Sequence, residues 1–370
     1  MSKDLTIIIP TYNDTYDKVK CSLDSIAMQC EYDLSAIEVI IVDDCSNKNK
    51  VDWNKVLEMY PSLNIRYTKL LENKGPGVAR QVALDMASGD FVFFLDCGDC
   101  LFDNSVLNTF DKYKDLDGDI IATKIYDTDS GNKRRSFLFN NAYVFGIFIK
   151  KQFLDANNIR YSEVLRWEED AYFEELLRYY SPKVVYTHIV GYTYSNDQDS
   201  ITRQNDHEYQ NNFGGFSAMV VKSMLLCDFY NSQNDYESLI SATIQILSLC
   251  YARFYSNIYQ ENNISERQSN ILYLLKILLE KYSLKTDSED FRKLFVKDLF
   301  RRNTIYKYYG TSEVPYDKID EFLAFIRDFE NLNGDYHIEG TNITVEELLS
   351  KGNTYSSGIK KHWNLIRFHI

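Results

Sequence analysis

The chain has 370 residues, of which 45% are hydrophobic and 26% charged, and its formal net charge is −13. This length predicts two domains, and the composition excludes a disordered or fibrous protein. The negative charge opposes binding to phosphate backbones and anionic lipid unless a local basic patch reverses it.

The seven cysteines show no zinc-type spacing and predict reduced thiols in a cytosolic protein. The apolar run from Leu5 to Pro10 is too short for a secretory signal. The most apolar uncharged window, 238–252, carries Ser, Thr and Gln at intervals typical of a buried helix rather than a membrane span. We therefore expect a soluble cytoplasmic protein, and a peripheral membrane location stays open.

Apolar strands alternate with amphipathic helices over the first 100 residues. The strands are predicted at 5–9, 37–42, 64–67 and 91–95. This alternation predicts an α/β fold with a Rossmann-like, doubly wound and mostly parallel sheet. Ligands of such sheets bind beyond the carboxyl ends of the strands, where acidic residues follow the second and fourth strands.

The second half of the chain has a different pattern. Strands are predicted at 119–122 and 184–186, with a helix at 170–180 between them. Beyond residue 205 the strand signal ends, and helices are predicted at 209–230, 236–259, 266–282, 289–308 and 316–331. We therefore expect a catalytic domain at 1–204 and an all-helical domain at 205–370.

Four ordered motifs carry a resemblance to a known family. They are Thr6 to Asn13, Glu38 to Ser46, Asn73 to Arg80, and Phe94 to Asp99. In this order and spacing they resemble the family-2 nucleotide-sugar glycosyltransferases with the A-type fold, over roughly residues 1–203. The resemblance implies that fold and the transfer of a sugar from a nucleotide diphosphate, with a UDP-sugar as the expected donor.

The resemblance also implies a nucleotide site. The turn after the first strand and the acidic pair after the second would hold the base and ribose, and a lysine and an arginine would face the phosphates. The full set is Pro10, Thr11, Tyr12, Asn13, Asp43, Asp44, Lys74, Gly75, Arg80, Asp96 and Cys97. A solvated loop lysine and a helix-surface arginine are the alternative for Lys74 and Arg80.

A divalent cation is the cofactor that the resemblance implies, either Mn²⁺ or Mg²⁺. Its ligands would be Asp96 and Asp99, with His188 as a late ligand. The sequence departs from the family here, since Gly98 stands where a second carboxylate is usual. The alternatives are that Asp99 caps the following segment and that His188 is structural.

The segment 166–170 resembles the Glu-Asp motif at a helix start in the same family. The resemblance implies that Asp170 is the catalytic base of an inverting transfer, with Glu169 as a supporting carboxylate. Acidic residues that complement the helix dipole are the alternative. The groups expected on the diphosphate and acceptor side are Trp167, Ser200, Thr202 and Arg203.

A basic face is predicted on the helix around 292–307, where Lys293, Lys297 and Arg301 recur every four residues. A solvated helix face, an anionic membrane and a nucleic acid are the alternatives for it. Three functions stay open: transfer to a polysaccharide or glycoconjugate, transfer to hydroxymethylated bases in DNA, and a degenerate binding member. A homo-oligomer is open as well.

Overall fold

The computed structural model describes residues 3–47, 51–128, 132–135, 144–195, 213–255, 265–282, 284–308, 314–329, 337–351 and 366–367. The chain divides into two compact units. The first comprises residues 1–204 with 357–370, and the second comprises residues 205–356.

The first unit contains a ten-stranded sheet. Its strands are β1 (Lys3–Thr11), β2 (Ile37–Asp43), β3 (Ile65–Leu70), β4 (Gly89–Phe94), β5 (Cys100–Leu101), β6 (Ile120–Asp127), β7 (Asn132–Arg135), β8 (Ile147–Lys150), β9 (Val184–Tyr194) and β10 (Ile366–Arg367). The order across the sheet is β10-β3-β2-β1-β4-β8-β6-β9-β5, and β7 pairs with β6.

The described helices follow in chain order in each unit. Those of the first unit are α1 (Tyr16–Ala27), α2 (Trp53–Met59), α3 (Pro76–Met86), α4 (Val106–Tyr113), α5 (Lys151–Ala156) and α6 (Glu169–Tyr179). Those of the second are α7 (Phe213–Ser232), α8 (Tyr236–Tyr255), α9 (Ser265–Lys281), α10 (Glu289–Tyr308), α11 (Ile319–Asp328) and α12 (Val345–Lys351). The predicted fold class, an A-type α/β sheet followed by a helical region, is confirmed.

Strands β3, β2, β1 and β4 run parallel, and their β-branched and aromatic side chains form a core covered on both faces. The strand β1 continues through Pro10 to Thr11, two residues beyond the prediction. The register explains this: β4 last pairs at Ile8, whereas β2 pairs to the end of β1. Pro10 therefore lies where β1 has one neighbour, and its missing N–H leaves no ladder bond unmade.

The chain order reverses across β1, because β2 lies on one side of it and β4 on the other. The crevice beyond the carboxyl ends of β1 and β4 is therefore the topological switch point of the sheet. Beyond β4 the sheet becomes mixed, since β8 pairs antiparallel with both β4 and β6. The sequence analysis missed β8, a strand of only four residues.

The second unit has its own aromatic core, in which the ring of Tyr251 packs against Phe295 and Phe322. Among the described residues from 291 to 304, the exposed charged side chains are Arg292, Lys293, Lys297 and Arg301. Ion pairs join Arg292 to Asp320 and Arg301 to Asp298. The binding of a membrane or nucleic acid by this face stays a prediction. None of the helices within the described ranges combines the length and apolar character of a membrane span.

Candidate active site

The loop after β1 is tied to the loop after β2. The backbone N–H of Asn13 donates to Ser46 Oγ at 2.7 Å, and the N–H of Asn47 donates to Asn13 Oδ1 at 3.1 Å. Asn13 has a φ of 54°, in the left-handed region that asparagine tolerates. Tyr12, next to it, is exposed. The turn at 10–13 therefore lies at the carboxyl end of β1, and its binding of a nucleotide stays a prediction.

Asp43 ends β2, and its buried carboxylate holds the same corner. Oδ1 accepts from the N–H of Ser46 at 2.7 Å, and Oδ2 accepts from the Tyr67 hydroxyl at 3.0 Å. The Tyr67 ring stacks on Trp53, with 4.4 Å between ring centroids. The Lys69 ammonium lies 3.8 Å from Asp43 Oδ2. The carboxylate of Asp43 thus holds the loop after β2 in place. Its binding of the nucleotide stays a prediction.

Asp44 shapes the loop before α3. Its carboxylate accepts from the N–H groups of Lys74 and Gly75, each at 2.8 Å, and from the amide of Asn73 at 2.9 Å. Burial raises its pKa to about 6, although these backbone donors act in the opposite direction. Gly75 has a φ of 95°, so the turn into α3 requires glycine. The Arg166 guanidinium donates to Asn73 from the other side.

Lys74 lies in this loop as a half-buried side chain. Its backbone N–H serves Asp44, and its ammonium lies 2.9 Å from Glu72 Oε1. The ammonium is thus engaged with a loop carboxylate.

Arg80 is the centre of the site. Its Nη1 donates to Asp170 Oδ1 at 2.8 Å and to Glu169 Oε1 at 3.1 Å, while Nη2 donates to Asp96 Oδ1 at 2.8 Å. The side chain is only 3% exposed. The alternative of a helix-surface arginine is therefore wrong. Arg80 joins the end of β4 to the start of α6.

The charge of this cluster follows from its burial. The guanidinium lies between the rings of Phe145 and Tyr161, each 5.8 Å from its centre. Burial raises the pKa of Glu169 and of Asp170 above that of an ordinary carboxyl group, and Arg80 opposes the rise. The negative charge of Asp170 raises the pKa of Glu169 further. Such a pair is able to take up a proton near neutral pH.

The start of α6 brings the carboxylates to Arg80. Glu168 precedes the helix with a φ of 64°, and Glu169 and Asp170 form its first turn. Gly77 in α3 makes room for Glu169, since a Cβ at Gly77 would stand 2.8 Å from Glu169 Cγ. The close approach of α3 and α6 therefore depends on the absence of a side chain at position 77.

Asp99 is held by the end of β9 and the residue after it. Its Oδ2 accepts from the Tyr192 hydroxyl at 2.6 Å, and its Oδ1 accepts from the N–H of Ser195 at 2.8 Å. Asp99 is 6% exposed, and burial raises its pKa to about 7. Gly98, with a φ of 100°, accepts at its carbonyl from Ser195 Oγ. Both oxygens of Asp99 are thus engaged in joining β9 to the loop after β4.

These residues do not fit the divalent cation that the resemblance implies. Asp99 has both carboxylate oxygens engaged, and Asp96 has Oδ1 on Arg80. His188 is exposed and lies four residues before Tyr192, which is about 13 Å along an extended strand. Within the described ranges, no three His, Cys, Asp or Glu side chains are grouped to hold a metal ion. The structure does not bring the three predicted ligands together.

The cysteines near this loop differ in state. Cys97 lies between the two aspartates, and burial raises the pKa of its thiol, which therefore stays neutral. Cys21 in α1 and Cys100 in β5 form a disulfide, with their Cα atoms 6.4 Å apart. The prediction of reduced thiols throughout is wrong for this pair. It considered only spacing along the chain, whereas these two cysteines are separated by 79 residues.

A family model decides the class of this domain. The model described as "Glycosyl transferase family 2" matches residues 6–168, a range that holds Arg80, Asp96 and the motifs after β1 and β2. Residues 6–168 form a family-2 glycosyltransferase domain. The family predicted from the four motifs is confirmed.

Curated relatives of this transferase domain are named for poly(ribitol-phosphate) and for teichoic acid. The poly(ribitol-phosphate) beta-N-acetylglucosaminyltransferase TarP of Staphylococcus aureus is 27% identical over 188 residues, which are 46% of this chain and 56% of TarP. The minor teichoic acid biosynthesis protein GgaB of Bacillus subtilis is 30% identical over 195 residues, 47% of this chain and 21% of GgaB. The chain therefore spans about half of TarP and a fifth of GgaB.

The fold also matches a solved glycosyltransferase. The crystal structure of Staphylococcus aureus TarS 1–349 in complex with UDP-GlcNAc aligns with a TM-score of 0.58 and 19% identity. The alignment covers 91% of this chain and 95% of that one. The likeness shows a shared fold.

The surroundings of the transferase site include Gln81, a buried residue of α3. Its Nε2 donates to Asp85 Oδ1 at 2.7 Å, and its Oε1 accepts from the N–H of Tyr161 at 2.8 Å. Four further residues were predicted on the diphosphate and acceptor side. Trp167 is half-buried just before α6. The predicted diphosphate and acceptor groups Ser200, Thr202 and Arg203 lie outside the described residues.

The sequence analysis missed the role of Arg80 as the link between the carboxylates. One signal was present in the sequence: apolar residues surround Arg80 in α3 on all sides, namely Val78, Ala79, Val82 and Ala83. A charged residue within such a stretch is buried and needs partners of opposite charge.

Proposed function

We propose that the chain is an inverting glycosyltransferase that moves a sugar from a UDP-sugar to a hydroxyl group of a phosphate-containing cell-envelope polymer. One observation carries the proposal. Arg80 gathers Asp96, Glu169 and Asp170 at the switch point of the sheet, where ligands of such folds bind.

Asp170 is the proposed catalytic base. Its side chain is 21% exposed, whereas that of Glu169 is 10% exposed. Its Oδ1 is held by Arg80, and its Oδ2 accepts no hydrogen bond from the residues that the structure describes. One oxygen is thus fixed by Arg80, and in this proposal the other receives the proton. A base held in this way takes the proton from the acceptor hydroxyl as that oxygen attacks the sugar.

Glu169 and Arg80 have supporting roles in this proposal. Arg80 orients Asp170 through a hydrogen bond. Its positive charge also favours the ionised forms of Asp170 and Glu169, whereas burial favours their neutral forms. Glu169 accepts a further hydrogen bond from Nη1 of the guanidinium and so helps to fix its orientation. In this arrangement Asp170, oriented by Arg80, performs the proton transfer. The loops after β1, β2 and β4 bind the donor.

The donor site is proposed between the loops after β1, β2 and β4. The turn at 10–13 and the corner held by Asp43 would bind the base and ribose, and Asp96 would face the sugar and diphosphate. Support for uridine comes from the TarS structure, which was solved with UDP-GlcNAc. UDP-N-acetylglucosamine is therefore the donor to test first.

The acceptor class is proposed from the relatives. TarP is named for poly(ribitol-phosphate) and GgaB for teichoic acid, both of which are phosphate-containing polymers. Because the chain matches only part of these relatives, its own acceptor is a proposal. A polyol-phosphate polymer is the acceptor class that we expect.

Calorimetric titration with UDP, GDP and TDP tests the donor half of the proposal. We expect UDP to bind about tenfold more tightly than GDP and TDP, which corresponds to about 1.4 kcal/mol. Release of UDP from UDP-N-acetylglucosamine in the presence of poly(ribitol phosphate) tests the acceptor half, and proton NMR of the product gives the anomeric configuration. If none of the nucleotides binds, the proposed function is wrong.

A further inference from the structure

Lys18 lies against Gly98, at the position where the sequence departs from the family. A Cβ at Gly98 would stand 3.4 Å from Lys18 Cγ and 3.5 Å from Lys18 Cδ. Lys18 belongs to the first turn of α1, and its ammonium lies 3.6 Å from Asp14 Oδ1. A side chain at position 98 would therefore lie in van der Waals contact with the lysine stem.

Asp14 holds Lys18 beside the crevice. Its Oδ2 accepts from the hydroxyl of Thr11 at 2.9 Å and from the N–H of Tyr12 at 3.0 Å. Asp14 is thereby fixed to the carboxyl end of β1, and its Oδ1 orients the ammonium. Lys18 is 25% exposed, so a ligand in the crevice is able to reach it.

The other described cations near this edge have partners of their own, as Lys18 has in Asp14. Arg166 donates to Asn73. Arg80 serves three carboxylates. Lys69 donates to the carbonyl of Ser46, and Lys74 pairs with Glu72. Lys18 is the described cation that touches the loop between Asp96 and Asp99.

Departure of a nucleoside diphosphate places additional negative charge on its phosphate oxygens, which requires a cation or hydrogen-bond donors nearby. Asp99 is engaged at both carboxylate oxygens, and Asp96 at one of them. The two aspartates are therefore poorly disposed to share a metal ion. An ammonium at the same loop supplies positive charge without any metal ligand.

We propose that Lys18 binds the diphosphate of the donor, and that a divalent cation shared by Asp96 and Asp99 is not used. This inference rests on the proposed function, because it assigns the cation of that same site. Asp99 is then a positioning residue, which fixes the end of β9 through Tyr192 and Ser195. Gly98 lies beside the stem of this lysine.

The test compares UDP with UMP. The two ligands differ by the β-phosphate, which is bonded to the sugar in the donor and departs as part of UDP. Dissociation constants are measured by calorimetry for the wild type, Lys18→Ala and Lys18→Arg, each with Mn²⁺ and again with EDTA. The matched control is Lys20→Ala, which removes a lysine of the same helix that pairs with Asp24. Tryptophan fluorescence checks that each variant is folded.

We expect UDP to bind the wild type equally well, within about twofold, in Mn²⁺ and in EDTA. Lys18→Ala should raise the dissociation constant of UDP about tenfold or more, because a charged hydrogen bond is lost. It should change the dissociation constant of UMP less than about twofold. Lys18→Arg should recover most of the UDP affinity, and Lys20→Ala should behave as the wild type.

Two results would overturn the inference while leaving the proposed function in place. One is UDP binding that needs Mn²⁺ and disappears in EDTA. The other is Lys18→Ala with unchanged UDP affinity, or with equal losses for UDP and UMP. If neither nucleotide binds the wild type under either condition, the proposed function fails, and this inference fails with it.

Discussion

Replacing Arg80 with glutamine removes the positive charge that three carboxylates share. The guanidinium is 3% exposed and lies 2.8 Å from Asp96 and Asp170 and 3.1 Å from Glu169. Breaking a buried ion pair by removing one partner costs about 3–5 kcal/mol, because the other charge is left uncompensated. With a urea slope of about 2 kcal/mol/M, the unfolding midpoint should fall by about 1.5–2.5 M.

Tryptophan fluorescence suits this measurement, because the chain has three tryptophans, at positions 53, 167 and 363, and all fall within the bounds of the first unit. The signal therefore follows the unfolding of the unit that contains Arg80. The matched control is Lys183→Gln, since the Lys183 ammonium pairs with Asp117 on the surface of the same unit, and the two side chains are 59% and 92% exposed. The control should lose less than about 1 kcal/mol of unfolding free energy.

The effect of Arg80→Gln should also depend on pH. Burial already raises the pKa of Glu169 and Asp170, and loss of the guanidinium raises both further. The full loss of stability is therefore present above the raised pKa values, and it shrinks as pH falls through them and the carboxyl groups become neutral. A loss at pH 9 no larger than that of Lys183→Gln, or one that is unchanged at pH 5, would refute this reasoning.

Two further predictions concern catalysis. Gly77→Ala places a Cβ 2.8 Å from Glu169 Cγ, so it should displace the carboxylates, lower kcat/KM and cost about 1–3 kcal/mol of stability by overpacking; an unchanged kcat/KM would contradict the assignment of this contact. The kcat/KM of the wild type should fall as pH decreases through the pKa of Asp170, which burial raises well above the ordinary value of 3.8. A pH profile measured with a saturating acceptor checks this, and an acid midpoint near 4 would contradict it.

Much of the fold could be predicted from the sequence, because its elements depend on local patterns. The parallel strands read as continuous β-branched runs, and helices α7 to α11 follow apolar spacing close to their observed bounds. The strand β8 and the length of β9 were not predicted. Their pairing with β6 is set by tertiary contacts, and the register of β6 with β9 includes irregularities after Ala122.

The candidate site was only partly predictable, for a physical reason. The motifs identified Asp96, Glu169 and Asp170 as residue types suited to the chemistry. The partners of Asp99 are instead Tyr192 in β9 and Ser195 just after it, more than ninety residues away, and Lys18 is in α1. Such partnerships depend on which elements the topology brings together, and spacing along the chain does not contain that information.

The measurement that tests the central claim most directly compares the wild type with Asp170→Asn in two assays, UDP affinity and sugar transfer. The asparagine keeps the shape of the side chain and an oxygen for Arg80, but it cannot take up the acceptor proton. We predict UDP affinity within about threefold of the wild type and a loss of transfer of about 10²–10⁴-fold. Transfer at the wild-type rate, or a loss that arises from failure to bind UDP, would contradict the assignment of Asp170 as the base.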